Sequence, residues 1–279
     1  MTSSASGPLR SPRPSASRPA ARWTGASAAQ AASVALRSSG RDAWAAAVNH
    51  PVVRAIAAGT LPHETFRGYF EQNIRYLEDY ARAIALATAK APDAAALDVL
   101  SRFLRQIVAT EIPANLAFLH RLGGSAERLP GLAELHPVTY GYTRHLLHVC
   151  EAGSCAEGLA ALLPCQWSYG EIAQPLMAAV PADPVYADWI RMFGNAEYDA
   201  LVAETTGLLD RLADPADAGQ WSRLSAVFSI SIRYEGEFWD MTSRADESAD
   251  MTARADESAR FPGLDSPAGA QRGPDDTAL

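Results

Sequence analysis

Lysine is almost missing from this chain of 279 residues: Lys90 is the single one, and the remaining basic side chains are arginines. That skew reflects nucleotide bias in the source more than function. Positive charge is in deficit as well, with 24 basic against 32 acidic residues, a net charge of -8 and a pI near 5.3. Nucleic acid and anionic membrane surfaces both select a basic footprint, so neither is expected as a partner. No apolar run reaches the length of a membrane span. Three cysteines are too few, and of the wrong parity, for a disulfide framework; they point to a reducing compartment, the cytoplasm. Neither a phosphate-binding glycine loop nor a serine triad is visible, and no stretch shows the strict alternation of a half-buried strand.

What the chain does have is 48% apolar residues, enough for one sizeable core. Composition divides it into three parts. Residues 1–40 are rich in Ser, Ala, Pro and Arg without apolar periodicity, and are expected to be disordered. The absence of acidic residues gives this stretch a superficial likeness to an organelle transit peptide, but it lacks the apolar centre of a secretory signal. Residues 41–242 carry helical periodicity throughout, so the fold class is all-α and a single domain. Residues 243–279 are read as a disordered tail. The sequence MTSRADESAD from Met241 to Asp250 returns as MTARADESAR from Met251 to Arg260, and one tandem pair falls short of a repeat fold.

Within the central part, Pro62 marks a helix start, after which Phe66, Phe70, Asn73, Ile74, Leu77 and Ile84 fall on one face. Asn73 is thus placed inward, with Tyr76 and Tyr80 on or near the same face. Leu97, Leu100, Leu104, Ile107 and Val108 trace a second helix, interrupted near Pro113 and closed at Gly123-Gly124. Pro137 opens a third, with Tyr142, Leu146 and Val149 inward. Ser154 and Glu157 form a capping box ahead of Gly158, Leu162, Cys165, Tyr169, Ile172 and Leu176. Pro164 lies inside that helix, where a missing N–H costs about 3 kcal/mol and calls for compensation. Pro184 opens a segment through Trp189 and Phe193 that breaks at Gly194, and the last core helix brings Glu235 onto the stripe of Leu224, Phe228, Ser231 and Phe238.

Inward polar groups on separate helices are costly as packing, because each needs its own partner. Asn73, Cys165 and Glu235 together therefore suggest one polar pocket, to which Tyr76, Tyr142 and Tyr169 add aromatic faces and hydroxyls suited to a small planar heterocycle. A thiol beside a carboxylic acid fits nucleophilic catalysis, the sulfur adding to an electron-poor carbon and the acid delivering a proton to the leaving group. The plain alternative makes Cys165 a small apolar residue in a kinked helix. His145 and His148 suit surface or capping roles, and Cys150 with Cys155 lacks the second pair of a zinc site. Scattered donors such as Glu78, Glu111 and His120 keep a metal-dependent oxidase as a further alternative.

The motifs that carry these residues resemble the TenA family, also called thiaminase II. They are His50-Pro51, Gly59-Thr60-Leu61-Pro62, Gln72 to Leu77, Tyr140-Gly141-Tyr142-Thr143, Ala160 to Cys165 with Trp167 and Tyr169-Gly170-Glu171, Pro184-Val185-Tyr186, and Tyr234-Glu235-Gly236-Glu237-Phe238-Trp239. The resemblance spans Arg41 to Thr242. It implies a haem-oxygenase-like helical bundle, a pocket without cofactor or metal, and a homotetramer. It also implies hydrolysis of the bond between an aminopyrimidine methylene and its leaving group, in thiamin or in thiamin breakdown products. Under it, Cys165 is similar to the family's nucleophile, Glu235 to its acid/base, and Asn73, Tyr76, Tyr142, Tyr169 and Phe193 to its substrate-binding positions. A pyrimidine-binding or regulatory protein without efficient catalysis is the other reading.

This chain departs from the family at two of those positions, with Asn73 where an aspartate is usual and Phe193 where a tyrosine is usual. An aspartate holds a protonated aminopyrimidine by charge-assisted bonds about twice as strong as neutral ones, whereas asparagine offers only a neutral donor and acceptor. An altered substrate or slower turnover is expected. An Asn73→Asp variant should gain thiaminase or aminopyrimidine hydrolase turnover, followed as product formation; no gain would count against this explanation.

Overall fold

The computed structural model describes residues 31–260, with side chains placed as far as Ser243. Helices account for its regular structure, in the order α1 (Ala32–Ser39), α2 (Arg41–Val48), α3 (Pro51–Ala58), α4 (His63–Thr88), α5 (Ala94–Gln106), α6 (Ile112–Arg121), α7 (Pro137–Ala152), α8 (Cys155–Leu176), α9 (Pro184–Phe193), α10 (Ala196–Ala213) and α11 (Ala218–Arg260). The fold is all-α, as the periodicity requires.

Helix starts follow one local rule. At α3, α7 and α9 a proline occupies the first turn, where its missing N–H is no loss, and the residue before it caps the helix. His50, His136 and Asp183 accept from the backbone N–H groups of Val52, Val138 and Val185 in turn. Asn195 caps α10, Asp93 caps α5, and the Ser154–Glu157 capping box opens α8. Helix α3 ends on Gly59 at φ 67°, the left-handed conformation that favours glycine.

Helix α4 runs through the main core and packs chiefly on α7, while α8 packs chiefly on α11. Residues on all sides of α8 are buried from Gly158 to Ala173, apart from the half-buried Cys165, Trp167 and Glu171. A helix apolar around its whole circumference belongs in the interior. Gly158 lets it approach: an added Cβ would stand 3.3 Å from Ala87 Cβ on α4 and 3.3 Å from Cys150 Sγ on α7. A second cluster, with Leu36, Trp44, Leu159, Leu163, Leu208 and Phe228, joins α1, α2, α8, α10 and α11.

Pro164 does not interrupt α8. Hydroxyl groups supply donors to the carbonyls around it: Tyr80 to Leu162 at 2.8 Å, Ser168 to Cys165 at 3.2 Å, and Tyr198 to Gln166 at 2.9 Å. The deeper supports come from α4 and α10.

Both expected boundaries shift. Residues 32–39, assigned to a disordered extension, form α1, with Leu36 fully buried and Ser33 N–H donating to Asp210 at 2.7 Å. Arg37 donates twice to Glu171 on α8, at 2.5 and 3.2 Å, and lies 5.0 Å from the Trp44 ring. A single leucine and arginine one residue apart leave no periodic trace in a Ser/Ala-rich segment. At the other end α11 runs through both copies of the ten-residue repeat to Arg260, 43 residues in all and about 65 Å. No proline or glycine interrupts the chain between Gly236 and Pro262, and the repeat is rich in Ala, Glu, Arg and Met, which favour helix. The expectations for residues 1–30 and 261–279 lie outside the described residues.

If α1 belongs to the folded unit, Leu36→Ala should lower stability by about 2–5 kcal/mol. Val34→Ala, at an exposed position of the same helix, should stay within about 0.5 kcal/mol. Urea unfolding of the two variants decides the point.

Candidate active site

Four helices bring the sequence-predicted residues to one place. Asn73 and Tyr76 come from α4, Tyr142 from α7, Cys165 and Tyr169 from α8, and Glu235 from α11. All but Cys165 are buried, and Cys165 is half-buried.

Glu235, 3% exposed, accepts a 2.6 Å hydrogen bond from the Tyr142 hydroxyl. Burial pushes the Glu235 carboxyl up to about 7, against hydrogen bonding from Tyr142 and from the Cys165 thiol. Burial likewise holds the Cys165 thiol well above its usual range, and the neighbouring Glu235 charge adds to this, while the nearby Tyr76 hydroxyl opposes it. Thiol and carboxyl are therefore coupled: the pocket resists two negative charges and tolerates one. With the carboxyl poised near neutrality it can receive the thiol proton and later return it, the condition for acid/base work at physiological pH.

Aromatic rings form the walls. Tyr76 lies 5.0 Å from Tyr142 and 5.3 Å from Tyr80 between ring centroids, and Tyr142 stacks on Tyr234 at 5.0 Å. On the other flank the hydroxyls of Tyr69 and Tyr169 share a 3.0 Å hydrogen bond. Phe193 ends α9 and meets Tyr169 edge-on at 4.9 Å; its link to the thiol runs through that tyrosine. Phe193 also packs edge-on against the rings of Trp189 and Tyr198.

Asn73 is 6% exposed and donates through Nδ2 to Asn115 Oδ1 at 3.0 Å. Asn115, on α6, in turn donates to the Glu111 carbonyl at 2.8 Å. An aspartate at 73 would oppose its carboxylate to Asn115 Oδ1 until Asn115 turned over and gave up that bond. The gain from Asn73→Asp is correspondingly smaller than charge alone implies.

Tyr69, Glu111 and Asn115 did not stand out as pocket residues in the sequence. Glu111 closes a π-helical turn, Ile107–Glu111, in which the Ile112 N–H reaches back to Ile107; such turns recur at functional sites. Its carboxyl is 6% exposed and pushed up to about 8 by burial, and its charge contributes to raising the Cys165 thiol. Ile107, Glu111, Asn115 and Phe118 continue one stripe at helical steps, a signal masked by Pro113. The other scattered donors are elsewhere occupied or exposed: Glu78 pairs with Arg75 at 3.1 Å, and His120 is exposed. Among the described residues no group of three or more His, Cys, Asp or Glu could hold a metal ion. His145 reaches Ser231 at 3.1 Å, tying α7 to α11, and His148 is exposed. Cys150 and Cys155 are free and buried.

An all-α bundle enclosing a thiol, a carboxyl and a tyrosine wall defines the class. The sequence profile of the TENA/THI-4/PQQC family matches residues 37–245, and the chain belongs to that family. An aminopyrimidine aminohydrolase of Halalkalibacterium halodurans is 36% identical over 200 residues, which cover 71% of this chain and 89% of the relative. The crystal structure of a TenA family transcription regulator from a Silicibacter species superposes with a TM-score of 0.70 at 31% identity, covering 76% of this chain and 96% of the other. A Shewanella denitrificans domain with a haem-oxygenase-like fold, 14% identical, covers 84% of this chain and 97% of its own length with a TM-score of 0.62. That likeness concerns the fold alone.

The coupling of thiol and carboxyl can be read directly. Glu235→Gln removes a negative charge that disfavours the thiolate, so the Cys165 pKa should fall. Iodoacetamide labelling of Cys165, followed by peptide mass spectrometry across pH 7–10, should show its rate profile displaced to lower pH; an unmoved profile would mean that the two groups do not interact.

Proposed function

We propose that this chain is an aminopyrimidine hydrolase of the thiaminase II type, working in thiamin metabolism with Cys165 as nucleophile and Glu235 as acid/base. The observation that carries this reading is the Cys165–Glu235–Tyr142 assembly. It is supported by family membership and by the hydrolase name of a relative that aligns over nearly its full length.

The chemistry follows from the coupling. Glu235 accepts the thiol proton, and the thiolate forms a C–S bond to an electron-poor carbon of the pyrimidine ring. Electrons pushed through the ring break the bond between the exocyclic methylene and its amine, and Glu235 returns the proton to the departing nitrogen. Water then adds to the methylene, the C–S bond breaks, and the thiolate recovers a proton. The products are the hydroxymethylpyrimidine and the free amine. Tyr142 steadies the carboxylate between the two transfers, while Tyr76 and Tyr169 hold the ring plane.

Cytoplasmic location and a homotetramer belong to the same proposal. The three free cysteines fit a reducing compartment, and the net charge of -8 speaks against a nucleic-acid partner. Among the described residues no helix is long and apolar enough to cross a membrane. A second reading, a pyrimidine-binding protein of weak turnover, is favoured by one observation: Asn73 cannot supply the charge that activates the ring.

Incubation of the protein and of Cys165→Ala with thiamin and with its aminomethylpyrimidine fragment, with products followed by mass spectrometry, separates the readings. The wild type should form hydroxymethylpyrimidine, and the variant should be slower by about a thousandfold or more while still binding the pyrimidine. Equal turnover would remove Cys165 as nucleophile. Binding without turnover in the wild type would establish the second reading.

A further inference from the structure

The chain of amides from Asn73 through Asn115 to Glu111 has a polarity, and it can run only one way. At its inner end is the Glu111 main-chain carbonyl, which accepts and cannot donate. The group that meets it at 2.8 Å must therefore be the Asn115 amide nitrogen, which turns Asn115 Oδ1 outward. The group that meets Oδ1 at 3.0 Å must likewise be a donor, which places Asn73 Nδ2 on that side. Each amide keeps its second N–H, and the one acceptor left over is the Asn73 carbonyl oxygen. It has no partner within the described residues, and it is not among the polar atoms sealed from solvent without one. Asn73 stands one turn from Tyr76 and one turn from Tyr69 on the same face of α4, and those tyrosines meet Cys165 and Tyr169 respectively. The free oxygen is thus carried on the face of α4 that borders the thiol.

We propose that Asn115 is a positioning residue that locks the Asn73 amide with its oxygen toward the ligand, making the site selective for a neutral heterocycle that presents an N–H donor at that edge. Alone, an asparagine is ambivalent, since a half-turn of its amide exchanges donor for acceptor at almost no cost. Asn115 removes that freedom. It is 1% exposed and held against the π-helical turn that delivers the Glu111 carbonyl, so neither amide can turn without stranding a buried polar group. A heterocycle bearing an exocyclic amine satisfies the Asn73 oxygen. One with an ether oxygen at that place sets acceptor against acceptor.

The inference rests on the pyrimidine reading above, and the test keeps the two apart. The probes are 4-amino-5-hydroxymethyl-2-methylpyrimidine and its 4-methoxy analogue, whose substituent offers no N–H; dissociation constants are measured by calorimetry. The wild type should prefer the amine by at least about tenfold. In Asn115→Leu the Asn73 amide is free to turn, and the preference should fall to within about threefold. In Asn115→Asp a buried, neutral carboxyl repeats both bonds, its carbonyl accepting from Asn73 and its hydroxyl donating to Glu111, so the preference should persist. A purely structural role would weaken both probes equally and leave the ratio unchanged. A folded Asn115→Leu that keeps the wild-type ratio overturns the inference, as does a wild-type ratio near one. Should Asn115→Leu fail to fold, loss of the preference in a folded Asn115→Asp would overturn it as well. If the wild type binds neither probe, the pyrimidine reading itself falls and this inference falls with it.

Discussion

Burying a carboxyl group beside a thiol is the constraint around which this fold is arranged. Glu235 sits at 3% exposure, where an unassisted carboxylate would be strongly disfavoured. The Tyr142 hydroxyl, at 2.6 Å, offsets part of that cost, and the remainder appears as a carboxyl poised close to neutrality. This arrangement needs α7, α8 and α11 to converge within a hydrogen bond of one another. The packing partners of α8 and the small residue at Gly158 serve that convergence. So does the tyrosine wall, in which Tyr142 reaches Glu235 and Tyr69 reaches Tyr169.

Much of this was legible in the amino-acid pattern, because helix periodicity reports directly on which side chains face inward. Phe66, Phe70, Asn73 and Ile74 share a face in the sequence and are buried together in the fold. Glu235 on the stripe of Leu224, Phe228 and Ser231 is another such case. Caps were equally readable, since Ser154 with Glu157 and the proline-led starts follow from backbone hydrogen bonding alone. The break at Gly194 falls between α9 and α10, as the glycine suggested.

What escaped the sequence are features set by contacts between distant segments. Helix α1 is too short and too poor in apolar residues to show a period, and its place depends on Arg37 finding Glu171 134 positions away. The extent of α11 was hidden by composition: a charged, alanine-rich repeat suits a solvated tail and a helix equally well. Glu111 and Asn115 were obscured by Pro113, which reads as an interruption, whereas the chain accommodates it with a widened turn and continues its stripe. Asn73 shows the same limit in finer grain. Its inward direction follows from spacing, but which end of its amide meets a ligand depends on a neighbour 42 positions away.

Pro164 has a consequence of its own. It deprives α8 of a backbone donor beside Cys165, and the carbonyls of Leu162 and Gln166 on either side accept from hydroxyls reaching in from Tyr80 on α4 and Tyr198 on α10. A thiol on an uninterrupted helix would be anchored mainly by its own backbone and largely indifferent to its surroundings. Here the turn that carries the sulfur is tied to α4 and α10 as well as to its own helix, so a loosening of either would reach the surroundings of Cys165.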